Sequence, residues 1–169
     1  MPHSPDSITP CEQLQNPADR CIWQYCDNAS DRCIRFTESG DTLPAIEYRT
    51  VLLDLQSWDR YWRQDRCNYV PQDLADFPRD CCQQHADHAA EIEMHRQKIE
   101  RWHRQLQTGD KVPAVCFENA LVDGYLRIRQ GRHRIAYLRQ LNFAVFAAAI
   151  PLQRLDDFRR QNLIVAEPE

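Results

Sequence analysis

YLRIRQGRHRIAYLRQLNFAVFAAAIP, residues 125–151, reads as a strand, a tight turn, a helix and a second strand in succession. Tyr125, Leu126, Arg127, Ile128 and Arg129 alternate, which predicts an extended segment with an apolar face and a face carrying Arg127 and Arg129. Gly131 stops that strand. Ile135, Leu138 and Leu141, with Ala136 and Tyr137 between them, recur at helical spacing. Asn142 suits the left-handed residue that ends a helix. Phe143 to Ile150 is almost unbroken apolar sequence, the pattern of a buried strand, and Pro151 closes it.

The tetrad Gly131-Arg132-His133-Arg134 therefore lies at the start of a helix. The first amides of a helix lack internal partners, and the helix dipole places partial positive charge there. A glycine lets the backbone approach an oxyanion closely, and arginine can hold phosphate through two parallel hydrogen bonds. Gly131, Arg132, His133 and Arg134 are thus the expected phosphate-binding turn, with Arg127 and Arg129 as secondary contacts. The competing reading is a structural turn whose His133 and Arg134 bond the fold internally.

A strand, a G-x-H-R turn, a helix and a further strand resemble the ParB/sulfiredoxin fold, whose turn binds nucleotide phosphates. Within that superfamily the sequence is most similar to the plasmid fertility-inhibition (Osa-type) branch. There a strand, a short loop and a second strand lead into Gly-Arg-His-Arg, here Ala114–Glu118, Asn119–Gly124 and Tyr125–Gln130. The resemblance covers about the C-terminal third by motif. It implies ATP or another nucleotide as ligand, with ATPase and DNase activity. It further implies a role in blocking DNA transfer through a conjugation or type IV secretion machine, with DNA and a protein of that machine as partners. Sulfiredoxins proper place a reactive cysteine where this chain has Arg132, so sulfinic-acid reduction is not expected. ParB proteins usually carry an acidic residue in the turn and a following helix-turn-helix domain, for which the chain ends too soon.

Hydrolysis would need a metal such as Mg2+ or a base to prepare a water. Glu118 and Asp123, flanking the loop before the arginine-rich strand, and Asp110, before the neighbouring strand, are the candidates, although all three also suit ordinary turn positions. A different class of function is a catalytically silent inhibitor or immunity-type module, binding a protein through the Trp- and Cys-rich N-terminal half.

The chain has 169 residues and a net charge of -4, which disfavours a protein that coats nucleic acid generally. Charge distribution says more. From Gly124 to Leu155 there is no Asp or Glu, yet Arg127, Arg129, Arg132, Arg134, Arg139 and Arg154 lie there. The absence of a long apolar run and a polar N-terminus predict a cytoplasmic protein without membrane insertion.

The eight cysteines include no Cys-x-x-Cys pair. Cys81, His85 and His88 share one helical face and form a weak zinc candidate, while reduced, partly buried thiols are the leading expectation. His85, His88, His95 and His103 are read as a solvated face.

The expected organisation is a flexible lead-in over 1–19 and one ParB/sulfiredoxin-like domain over 20–169. The fold class is α+β, with a β-rich N-terminal extension and one long helix over Arg79–Gln107. Short strands are expected at Cys21–Tyr25 and Cys33–Phe36, and a core strand at Tyr48–Leu55. Ser57 is the expected cap of a short helix with Trp58, Tyr61 and Trp62 on one face.

Overall fold

The computed structural model describes residues 7–10, 21–27, 32–82 and 87–168. Its strands form two sheets. The first has the order β1 (Ser7–Pro10), β2 (Cys21–Asp27), β3 (Arg32–Thr37), β5 (Lys111–Pro113). The second has the order β7 (Ile128–Gln130), β6 (Val115–Phe117), β8 (Val145–Pro151), β4 (Tyr48–Asp54), β9 (Ile164–Ala166). Four helices accompany them among the described residues: α1 (Leu55–Trp62), α2 (His88–Gln107), α3 (Arg132–Gln140) and α4 (Leu155–Arg160). The fold is α+β, with the β-rich N-terminal part and the single long helix that the sequence predicts. Ser7–Pro10, inside the expected lead-in, pairs with β2, and the rest of that lead-in lies outside the described residues.

β8 is the centre of the second sheet. All seven of its residues are buried, as a strand flanked on both edges requires. It runs antiparallel to β4 from Tyr48↔Pro151 to Asp54↔Val145, and parallel to β6. Trp58 packs in the core, edge-on to Phe117 at 5.0 Å, near Phe146 of β8 at 6.5 Å and stacked near Phe158 at 6.3 Å. Each such ring removed from water contributes about 1.5–3 kcal/mol. Trp58 and Trp62 are fully buried, so they serve the core rather than the protein-binding surface of the alternative reading.

β5 and β6 belong to different sheets and are separated by one residue, Ala114. The strand expected from Ala114 is observed as β6, and β5, just before it, is an additional short strand in the other sheet. Three further boundaries differ from expectation for local reasons. Asp54, not Ser57, caps α1, accepting a hydrogen bond from the Ser57 backbone N–H at 2.7 Å. α2 starts at His88 because Asp87 caps it, and Arg79–Cys81 forms a separate short 3-10 turn. The segment Tyr125–Arg129 enters its ladder only at Ile128, because Asp123 and Gly124 (φ 54° and 83°) make a two-residue hairpin turn between Val122 and Tyr125.

Disulfides join Cys26 to Cys33 and Cys67 to Cys81, and Cys21 is also disulfide-bonded. Cys82 and Cys116 are free thiols. The expectation of mostly reduced cysteines is corrected accordingly: Cys26 and Cys33 face each other in neighbouring strands, which brings their sulfurs together. No helix among the described residues is long and apolar enough to cross a membrane.

Candidate functional site

Gly131 is the N-cap of α3, with φ 107°, a conformation open to glycine and costly for other residues. A Cβ there would sit 2.7 Å from Cγ1 of Val115 on β6, so the turn rests directly on the sheet. No side chain caps the start of α3. The first carbonyl bond of the helix closes from the Ile135 N–H to the Gly131 oxygen. The helix therefore opens with its amide end uncapped by any side chain, as an anion-binding turn requires.

The arginines divide differently from the sequence expectation. Arg127 grips Asp65 with two hydrogen bonds of 2.7 and 2.8 Å and also reaches Asp123. Arg129 donates to the Asp41 carbonyl. Arg134 is buried, its Nη1 donating to the carbonyls of Pro113 and Ala114 at 2.7 and 2.9 Å, with its guanidinium 4.5 Å above the Trp102 ring. It satisfies the backbone where the chain steps between sheets. Burial lowers its pKa to about 10. Arg139 pairs with buried Asp59, and Arg154 with Asp157. Arg127, Arg129 and Arg134 thus have internal partners, supplied from positions far away in sequence.

Arg132 is the exception. Its Nη1 makes only long contacts, 3.5 and 3.4 Å, to the carbonyls of Cys67 and Asn68. Neither Arg132 nor Lys98 of α2 has an ion pair among the described residues. Burial lowers the pKa of each, and for Lys98 the Arg132 charge adds to the effect. Glu91 partly offsets the burial of both cations without forming an ion pair with either, and two such cations beside an uncapped helix start are suited to a shared anion.

His133 bonds through Nε2 to Nδ1 of His95 at 2.7 Å. His95 is fully buried on α2, its ring tilted against Phe77 with centroids 4.5 Å apart, and its Nε2 3.8 Å from buried Glu91. Burial, and then the nearby Arg132 charge, lower the pKa of His133 to about 2 and that of His95 to about 4. The expected solvated histidine face is corrected. His95 meets His133, His103 meets the Tyr137 hydroxyl, and His88 meets the Phe77 carbonyl. Glu91 is absent from the sequence expectation, and His95 enters it only as part of the histidine face. Both lie on the buried side of α2 with Ile99 and Leu106.

Glu118 and Asp123 are not brought to the turn. In the β6–β7 ladder Cys116 opposes Gln130, next to Gly131, whereas Glu118 opposes Arg127. Two residues of strand beyond Cys116 put Glu118 about 7 Å from the level of Gln130. Asp123 lies further out, at the hairpin tip. Among the described residues no three His, Cys, Asp or Glu side chains converge to hold a metal. The zinc candidate is corrected too: Cys81 is disulfide-bonded to Cys67, so its sulfur is not a thiolate ligand, and His88 is engaged with Phe77. His85 lies outside the described residues.

No protein-family model and no curated protein matches the chain. Among solved structures it is similar to the gold(I) cyanide derivative of Oncogenic Suppression Activity Protein, a plasmid fertility inhibition factor. The TM-score is 0.59 at 16% identity, over 99% of this chain and 79% of that one. At that identity the likeness is one of fold.

Proposed function

We propose that this chain is a fertility-inhibition factor of the ParB/sulfiredoxin type that binds the phosphate of ATP or another nucleotide at the start of α3. The carrying observation is the uncapped helix start behind left-handed Gly131, with Arg132 and Lys98 near it and, among the described residues, no carboxylate ion-paired to either. The similarity of fold to a plasmid fertility inhibition factor supports the biological half. The binding set is narrower than the sequence suggests: backbone amides of the turn, Arg132 and Lys98, with Arg134 as its structural support. Hydrolysis of the ATP phosphoanhydride or of a DNA phosphodiester belongs to the same proposal, and magnesium would arrive on the nucleotide rather than on a protein cage.

Calorimetric titration with ATP tests the reading. Arg132→Ala should weaken binding about tenfold or more while the protein stays folded. A folded wild-type protein that binds neither ATP nor inorganic phosphate at millimolar concentration would overturn it. In cells, expression of the chain in a plasmid donor should lower transfer frequency, and Arg132→Ala should restore it. Phosphate release from ATP, with and without Mg2+, separates binding from turnover.

A further inference from the structure

The hydrogen bond between His95 Nδ1 and His133 Nε2 holds one proton, and the 2.7 Å distance does not say which ring supplies it. Glu91 decides the matter. Its carboxyl and His95 are both buried, and Oε2 of Glu91 and Nε2 of His95 are polar atoms without a hydrogen-bond partner. It is the other carboxylate oxygen, Oε1 of Glu91, that lies 3.8 Å from Nε2 of His95, too long for a hydrogen bond but close enough for charge to choose the tautomer. A carboxylate only accepts, so it favours N–H on the facing nitrogen of His95. A bare lone pair there would oppose buried negative charge.

With the proton on Nε2, Nδ1 of His95 accepts, and His133 must donate from its own Nε2. A neutral His133 then carries its lone pair on Nδ1. That atom has no protein partner among the described residues and, unlike Nε2 of His95, is not among the buried unpartnered atoms. The charged groups around this chain are Glu91 and Lys98 from α2 and Arg132 from α3. The two cations disfavour any additional proton on either ring, in keeping with the lowered pKa values of both histidines.

The helix start thus combines donors, which are the amides, Arg132 and Lys98, with one acceptor. We propose that the Glu91–His95–His133 relay makes the turn selective for an oxyanion carrying its own proton, namely inorganic phosphate or a monoanionic phosphomonoester, over fully deprotonated oxyanions such as sulfate. The hydrogen on the ligand is donated to Nδ1 of His133, while the remaining oxygens take the donors. Sulfate has no such hydrogen, and against it the lone pair is repulsive. This selection rests on the anion-binding reading above and ranks terminal phosphate groups, of a nucleotide or of a DNA end, ahead of internal diesters.

The test uses the full chain at pH 7, titrated with sodium phosphate and with sodium sulfate at matched ionic strength. Phosphate should bind about tenfold or more tightly than sulfate, the worth of one hydrogen bond to a charged ligand. Glu91→Gln, whose amide can present either a donor or an acceptor, should shrink that preference. Because altering a buried residue can impair folding, long-range 1H–15N spectra of the wild-type imidazoles supply an independent readout. Both rings should be neutral and protonated on Nε2. Equal affinity for the two anions overturns the selection and leaves the anion-binding reading standing. Binding of neither anion overturns both. A proton found on Nδ1 of His95 overturns the relay whatever the titrations give.

Discussion

Gly131 joins two constraints that act separately elsewhere in the chain. Gly124 also has a positive φ, 83°, but open space where a Cβ would go. Gly124→Ala should therefore cost only the backbone strain, about 1 kcal/mol. Gly131→Ala adds a collision with Val115 and should cost about 2–4 kcal/mol in urea unfolding. Equal costs would mean that the sheet gives way to the added carbon. The two histidines make a second residue-level prediction. Their folded pKa values are depressed to about 4 and about 2, against 6.5 for a free imidazole, so as pH falls below 6.5 the unfolded chain takes up protons that the folded chain refuses. Their contribution is complete above pH 6.5 and declines toward pH 4, by at most about 1.4 kcal/mol per pH unit for each ring. Replacing both with glutamine should flatten the unfolding free energy across that window. The tetrad itself was readable from one glycine and three donors. The arginine partners were not, because Asp65 lies 62 residues from Arg127 and Asp59 lies 80 from Arg139.

Helix boundaries carry the element-scale lesson. Both Asp54 and Ser57 are residue types that cap helices, and the sequence reading chose the second. The chain uses Asp54 because it is the last residue of β4, whose backbone direction is already fixed by pairing with β8. Asp54→Ala should lower stability by about 1 kcal/mol, whereas Ser57→Ala should change it by less than about 0.5 kcal/mol. The reverse order in thermal melts would relocate the cap. Strand β8 was legible because seven apolar residues in a row suit a strand covered on both faces. The start of α2 was not, since residues 79–87 contain neither glycine nor proline to mark the break. There the break follows from the cap at Asp87 and from the tie between Cys81 and Cys67.

At the scale of the whole molecule, the two sheets meet at Ala114, and Arg134 from α3 clamps that junction. Arg134→Met would leave two carbonyls without their charged donor and should cost about 2–5 kcal/mol, whereas Arg132→Ala should cost under about 1 kcal/mol and act on ligand affinity. Adjacent arginines in one motif therefore have separable duties, which unfolding and binding measurements on the two variants distinguish. Sequence alone supplied the class of architecture and the position of the turn. It could not supply the division of labour, which depends on which carbonyls the tertiary fold brings within reach. The disulfide between Cys67 and Cys81 extends this reasoning to the surroundings of the protein. The carbonyls of Cys67 and Asn68 are the rest on which the Arg132 side chain lies, and the cross-link closes a sequence separation of 14 residues behind them. Opening it with dithiothreitol frees that platform to wander, so the guanidinium loses its aim. For the proposed anion site, the thiol content of an assay buffer thereby becomes a hidden variable, and affinities read with and without reductant should differ.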